Sequence, residues 1–336
     1  MGKYDRCMKA YLQDKRRFAD LFNGSCFQGR QVIRAEDLEE ASENYVAVEE
    51  KQPGKPLQKG TEIIRDVKMR YRSGMILQVL AVENQSYIDY GMPVRCMGYD
   101  AAEYSRQLKE RKQERRLLAR RKEEPEKELK TTIDERLSGI LRSDRLHPVY
   151  TICLYSGEEP WDGPRKLSDM MAFDPQNKNL QSLFEEYHLH LFCINEQHIF
   201  DAFHSDLKPL FQAMNCRNNK KKMIELMKDE TYSHLNEDTW DAIAVMTDNA
   251  AMLQKKDLYK AENQKEEFNM CQALQELMQD ERNEGRIEGR NEGKIEDQKI
   301  VIRNMINRGY KTEDICAIAE CSPAFVKEVE TELALT

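Results

Sequence analysis

The stretch IIRDVKMRYRSGMILQVLAVENQ, residues 63–85, decides the fold because it predicts two neighbouring β-strands. Residues 63–72 are typical of one strand, Ser73-Gly74 is a turn signal, and residues 75–82 form a second, more apolar strand. Residues two apart on a strand face the same way. Hairpin pairing therefore predicts that Asp66 lies beside Glu83 and Gln85, where the strands end.

Two carboxylates and an amide that converge at one place favour the binding of a divalent cation. Together they can hold a hard divalent cation through oxygen ligands. Such a cation can assist the hydrolysis of a phosphodiester by polarising the phosphoryl oxygen and activating water. The alternative is that these are ordinary hairpin residues. Apolar strands usually stay apolar until the turn, whereas here adjacent polar residues end an apolar strand, and this argues against the alternative.

Further stretches carry a resemblance to a known family. They are FADLFN (18–23), MPVRCMGYD (92–100), LYSGEEPWDGPR (154–165) and a Glu-Gly repeat near the end. With the hairpin, in this order and spacing, they resemble the bacterial family of recombination-promoting nucleases and transposase-like proteins, within the PD-(D/E)XK nuclease superfamily. The resemblance implies an α/β fold with a restriction-endonuclease-like mixed sheet flanked by helices, followed by an all-helical C-terminal region.

The resemblance also implies roles for the residues of the hairpin. Asp66 and Glu83 would ligate Mg²⁺, which Mn²⁺ can replace, and the backbone carbonyl of Asn84 would be a third oxygen ligand. Gln85 takes the position where the commoner form of the superfamily has Lys. Its neutral amide can orient water but offers no charge stabilisation.

An additional acidic residue is expected from the first helix. Asp14 or Asp20 is placed for it, and Asp14 is preferred because Asp20 sits beside the apolar pair Leu21-Phe22. A solvated helix charge is the alternative for either residue.

Arg95 and Tyr99 match an Arg and a Tyr that the family carries on the helix after the hairpin. Residues four apart occupy one face of a helix. The guanidinium of Arg95 could steady a phosphate or the metal-binding carboxylates. A structural salt bridge to a core carboxylate is the alternative.

Composition restricts the class of protein. The 336 residues are 33% charged with a net charge of −8, which is typical of a soluble, mildly acidic protein. No apolar run approaches the ~20 residues of a membrane-spanning helix, and the N-terminus lacks the apolar segment of a signal peptide. Nine cysteines without a Cys-x-x-Cys motif indicate reduced thiols. We expect a cytoplasmic protein that does not bind membranes.

The chain is expected to have four parts. A nuclease-like core spans residues 1–200 and carries a charged helical insertion over about 105–145. A helical region (201–280), a Glu-Gly-Arg repeat (281–298) and a small helical tail (299–336) follow. Within these parts the patterns predict one helix over 4–23, strands over 148–155 and 189–194, and a helix over 180–187.

The segment from 109 to 130 is almost all Lys, Arg, Glu and Gln, and its first part is net basic. It predicts either an arm that contacts DNA phosphates or a solvated helix or linker. Aromatic residues for base stacking are absent from it.

The repeat NEGRIEGRNEGKIE (283–296) has a period of four. It places glycines, glutamates and basic residues in three separate stripes. One interpretation is a helix that pairs with a partner helix, with glycines permitting close approach and Glu facing Arg, giving a homo-oligomer. The other is a flexible charged spacer.

The sequence favours a metal-dependent DNA endonuclease that hydrolyses phosphodiester bonds. The resemblance links it to DNA recombination or mobile elements. The competing hypothesis is a nucleic-acid-binding or oligomeric interaction protein on a nuclease scaffold with weak or lost catalysis.

Overall fold

The computed structural model describes residues 3–41, 67–72, 74–82, 88–121, 132–260 and 267–334. The chain divides into two compact units, Met1–Met270 and Cys271–Thr336. In the part of the chain that is described, no helix is both long and apolar enough to cross a membrane.

The first unit is built on a mixed five-stranded sheet. Its strands are β1 (Leu38–Glu40), β2 (Val67–Tyr71), β3 (Met75–Val82), β4 (Val149–Tyr155) and β5 (His190–Cys193), in that spatial order. β1, β2 and β3 pair antiparallel, whereas β3, β4 and β5 pair parallel. The predicted α/β class with a mixed sheet is confirmed. The hairpin is confirmed over its described residues, and residues 63–66 lie outside them.

The described residues of this unit form nine α-helices. They are α1 (Lys3–Tyr11), α2 (Lys15–Phe27), α3 (Met92–Arg121), α4 (Ile133–Ser138), α5 (Lys178–Gln181), α6 (Leu207–Cys216), α7 (Lys220–Leu226), α8 (Glu237–Met246) and α9 (Ala250–Gln254).

The prediction of one helix over residues 4–23 is wrong, because Asp14 starts a second helix. Its backbone is extended, and its Oδ1 accepts hydrogen bonds from the backbone N–H groups of Arg16 and Arg17. This is an N-cap, which satisfies donors that a helix start leaves unpaired.

Two further helix predictions are wrong. The helix expected over 180–187 is only the four residues of α5, since the backbone at Tyr187 and His188 instead pairs with Leu167 and Lys166. The region 201–280 is not helical throughout. It contains an antiparallel pair of short strands, β6 (Leu235–Asn236) and β7 (Glu267–Phe268).

The two faces of the sheet are covered differently. On the side that we call the α3 face, Cys96 and Tyr99 of α3 pack with Cys153, Tyr155 and Cys193 of the sheet. On the side that we call the aromatic face, the ring of Phe192 lies 5.5 Å from that of Phe203 and 5.9 Å from that of Phe211.

The second unit contains α10 (Met270–Asn307, which begins at the last residue of the first unit), α11 (Thr312–Ala319) and α12 (Pro323–Ala334). The end of α10 forms a core with the other two helices, made by Ile302, Met305, Ile315, Val326 and Val329.

Candidate functional site

The four hairpin residues predicted to act in catalysis, Asp66, Glu83, Asn84 and Gln85, lie outside the described residues. Their neighbours in the chain are described. Val67 follows Asp66 and pairs with Val79, whereas Val82 precedes Glu83 and pairs with Tyr155. Because β2 and β3 are antiparallel, the start of β2 and the end of β3 lie at one edge of the sheet. We call this the candidate edge; β4 and β5 also end there.

The loop after β4 is fixed at the candidate edge. The Tyr155 hydroxyl donates to the Glu159 carbonyl (2.8 Å), and the Tyr155 ring packs edge-on against Trp161 at 5.1 Å. A Cβ atom at Gly157 would overlap the Tyr155 hydroxyl, so this close approach requires glycine. The backbone of this loop is thus fixed by contacts within the first unit.

The Glu158 carboxylate in this loop is held by the helical region. Arg217 approaches it at 3.5 Å, and the Asn218 amide donates to it at 2.9 Å. Glu158 therefore ties the loop to the residues that follow α6.

Arg95 and Tyr99 meet on one face of α3, as their spacing predicts. Arg95 Nε donates to the Tyr99 hydroxyl (3.1 Å), and Nη1 donates to Asp89 (3.2 Å). Partial burial lowers the pKa of Arg95, but the interactions with Tyr99 and Asp89 outweigh it and raise the pKa above its usual value.

The start of α3 lies close to the end of β4, because Met92 packs in the same cluster as Tyr155 and Trp161. The charged Arg95 side chain, three residues along the helix, is half exposed. The structure therefore places a permanent cation near the candidate edge.

Asp14 and Asp20 line one cleft of about 430 Å³ beside Arg17 and Asp206. The buried Asp20 carboxylate accepts from the backbone N–H groups of His204 and Ser205 and from the Ser205 hydroxyl. It thereby fixes the segment that precedes α6, while Asp14 caps α2. Their predicted role beside the metal stays a prediction.

A buried ion pair on the α3 face was missed from the sequence. Lys68 Nζ on β2 lies 3.3 Å from Glu103 Oε2 on α3, and the two side chains are 2% and 0% exposed. Arg106 also pairs with Glu103. The sequence signal for this pair was the alternation of charged with apolar residues at Asp66, Lys68 and Arg70. The partner of Lys68, Glu103, lies 35 residues away in the chain, so this signal does not identify it.

Asp100 on α3, which is half-buried, makes a second polar connection to the sheet. It accepts from the Thr151 hydroxyl on β4 (2.5 Å) and from the Tyr187 hydroxyl (2.7 Å). Burial, and then the Asp100 carboxylate, raise the pKa of Tyr187. The hydroxyl therefore stays protonated and keeps donating to Asp100.

Two arginines of the described basic segment are engaged within the protein, since Arg111 pairs with Glu114 and Arg115 with Asp144. Arg106, which precedes the segment on the same helix, pairs with Glu103 and Glu110. The segment is one continuous helix as far as Arg121, and residues 122–131 lie outside the described part. Lys109 and Arg116 are exposed on it.

The described residues contain no group of three or more His, Cys, Asp or Glu side chains that could hold a metal ion. The expected ligands at the candidate edge lie outside this search. Two carboxylates and a backbone carbonyl are oxygen donors, the type that Mg²⁺ binds, and the described strand ends bring their chain neighbours to one edge. No family model, curated protein or solved structure matches the chain.

Proposed function

We propose that the protein is a metal-dependent DNA endonuclease that hydrolyses phosphodiester bonds at the candidate edge. The observation that carries the proposal is the pairing of β2 with β3. It pairs Val67, which follows Asp66, with Val79, and β3 continues three residues further to Val82, which precedes Glu83. The start of β2 and the end of β3 therefore lie on the same side of a mixed sheet.

The surroundings of the edge support this proposal. Phosphodiester hydrolysis needs positive charge near the reacting phosphate. Arg95 supplies a cation held by Tyr99 and Asp89. Its guanidinium would contact the phosphate or orient the acidic ligands.

In the proposed site Asp66, Glu83 and the Asn84 carbonyl hold Mg²⁺ or Mn²⁺. The cation supplies Lewis-acid polarisation of a phosphoryl oxygen. The Gln85 amide orients water without adding charge. We therefore assign the positive charge beside the reacting phosphate, apart from that of the cation, to Arg95.

DNA and a second copy of the chain are the proposed partners. Exposed basic side chains on α3, among them Lys109 and Arg116, would contact phosphates rather than bases. The family resemblance of the sequence supports DNA as the substrate and a role in recombination or mobile elements.

Cleavage of supercoiled plasmid by the purified full chain tests the proposal. The wild type with Mg²⁺ or Mn²⁺ is expected to nick or linearise the plasmid, and Asp66→Ala and Glu83→Ala are expected to abolish this. Glu39→Ala is the matched control, because Glu39 is an exposed carboxylate on β1 of the same sheet. It is expected to retain the wild-type rate.

Intact plasmid with every metal, or cleavage that survives both substitutions, would contradict the proposal. Circular dichroism of each variant separates loss of a ligand from loss of the fold.

A further inference from the structure

The exposed part of α10 is a long helix with nothing packed on it in the described structure. Every residue from 285 to 297 is exposed. A Cβ atom at Gly285, Gly289 or Gly293 would meet no atom within 4 Å. Each interior glycine disfavours a helix by about 1 kcal/mol relative to alanine.

The charges in this segment do not support the helix from within. Glu288, Glu292, Arg286 and Arg290 each have a like charge four residues away and an uncharged residue three residues away on both sides. Like charges at this spacing are unfavourable, and opposite charges would be favourable. These four charges therefore have no opposite charge at the favourable spacing within their own helix.

One stripe of this helix is suited to burial. Asn283, Ile287, Asn291 and Ile295 follow each other at intervals of four. Ile287 is 60% exposed and Ile295 is 47% exposed. Burial of an isoleucine is favourable, whereas a glycine stripe has no side chain to bury.

Charges of opposite sign flank this stripe. Successive residues of a helix are about 100° apart. The glutamates that follow each member of the stripe thus lie on one flank, and the basic residues that precede Ile287, Asn291 and Ile295 lie on the other.

We propose that α10 binds a second copy of itself in parallel orientation through the stripe Asn283, Ile287, Asn291 and Ile295. In a parallel pair the two-fold axis runs along the helices, so the Glu flank of each copy faces the basic flank of the other. In an antiparallel pair the axis crosses the helices, and Glu faces Glu while Arg faces Arg. Charge complementarity therefore selects the parallel pair.

The asparagines fit this arrangement. A four-residue repeat is longer than the 3.6 residues of a helical turn, so the two helices must wind around each other right-handedly to keep the stripe in contact. Across the parallel two-fold axis each Asn then meets the same Asn of the other copy, and paired polar side chains of this kind fix register in helical dimers. This inference concerns a different part of the chain from the candidate edge and does not rest on the proposed nuclease activity.

The test measures the mass of the full chain by sedimentation at about 10 µM and low salt. The wild type is expected at twice its 39.5 kDa. Glu288→Lys with Glu292→Lys makes the central part of both flanks positive and is expected to weaken association by about tenfold or more. Adding Arg286→Glu and Arg290→Glu exchanges the charges of the two flanks at these central positions and is expected to restore the dimer.

Orientation is tested by mixing the wild type with the variant that carries all four substitutions, each labelled with a different fluorophore. Parallel pairing predicts two separate homodimers, because a mixed pair would face like charges. Mixed dimers would overturn the parallel assignment. A monomeric wild type, or a dimer unaffected by the two lysines, would overturn the pairing itself.

The role of the stripe is tested by two matched sets of substitutions. Ile287→Ser with Ile295→Ser is expected to dissociate the dimer. Alanine at Gly285, Gly289 and Gly293 is expected to leave it intact, since alanine favours the helix and lies on the outer side. Loss of the dimer in the alanine variant alone would assign the contact to the glycine face instead.

Discussion

The two faces of the sheet use different physical means to hold their helices. The α3 face contains the Lys68–Glu103 ion pair and the Asp100 carboxylate, which Thr151 and Tyr187 hydrogen-bond. The described contacts of the aromatic face are dominated by rings, such as Phe203 against Phe211 at 5.2 Å. Burying charge costs free energy unless each charge is paired, whereas rings pack without such partners.

The α3 face therefore buries charged groups at a cost in free energy that the aromatic face avoids. β2 carries Lys68 into the α3 face, two residues after Asp66, and α3 carries both Glu103 and Arg95. The polar connections thus fix the position of α3 against the strands that lead to the candidate edge. We infer that they hold the proposed site in place, whereas the aromatic face supplies bulk stability.

The largest effect is expected from breaking the buried ion pair on one side only. Glu103→Leu leaves the Lys68 ammonium buried without its main partner and should lower the free energy of unfolding by about 3–5 kcal/mol. Urea unfolding followed by circular dichroism measures this.

The matched control replaces both members of the pair. Lys68→Met with Glu103→Leu should recover most of the loss, since an apolar pair needs no charge partner. A double variant as unstable as Glu103→Leu alone would mean that volume rather than charge decides the packing of α3.

A smaller effect is expected from removing single hydroxyl groups on the two faces. Tyr187→Phe on the α3 face loses a hydrogen bond to a carboxylate and should cost about 1.5–3 kcal/mol. Tyr71→Phe on the aromatic face loses a bond to the neutral Val32 carbonyl and should cost about 0.5–1.5 kcal/mol. Equal losses of unfolding free energy for the two variants, measured by urea unfolding, would contradict the proposed difference between the polar contacts of the α3 face and those of the aromatic face.

The cysteines of the α3 face should resist alkylation in the folded protein. Cys153 and Cys193 are buried, and burial raises the pKa of Cys193 to about 12, so at pH 8 it is almost entirely protonated. Cys26, which is exposed, should react first with iodoacetamide. Mass spectrometry of the labelled peptides measures the order, and early labelling of Cys193 would show that this face opens readily.

The smallest effect is expected from a more exposed counterpart of the buried pair. Lys299 and Arg303 hold the pKa of Glu332 below its usual value. This contribution to stability is present above the usual pKa and is lost as the pH falls through the lowered value. Glu332→Gln should therefore flatten the pH dependence of α12 helicity below about pH 4 while changing stability little at pH 7. A large loss at pH 7 would contradict the contrast between exposed and buried pairs.

The sequence predicts the longer apolar strands of the sheet well because apolar runs bounded by turn signals need no distant partner, whereas the short strands β1, β6 and β7 were not predicted. It places β4 and β5 within one residue at each end. It fails where a side chain competes with the helical pattern, as at Asp14, or where an extended segment pairs with distant backbone, as at His188.

The candidate site is predictable in part for the same reason. The contact between Arg95 and Tyr99 follows from their spacing within one helix. The pairing of Lys68 with Glu103 depends on how α3 crosses the sheet, which no local pattern contains. The roles of Asp66, Glu83, Asn84 and Gln85 stay predictions, since these residues lie outside the described part of the chain.

Calorimetric titration of the full chain with Mn²⁺ tests the central claim most directly, because convergence of Asp66 and Glu83 on a cation requires that both contribute to its affinity. Saturable binding is expected for the wild type and for Glu39→Ala, and loss of that binding is expected in Asp66→Ala and in Glu83→Ala. Binding unchanged in both variants, or no binding by the wild type, would contradict a metal site at the candidate edge.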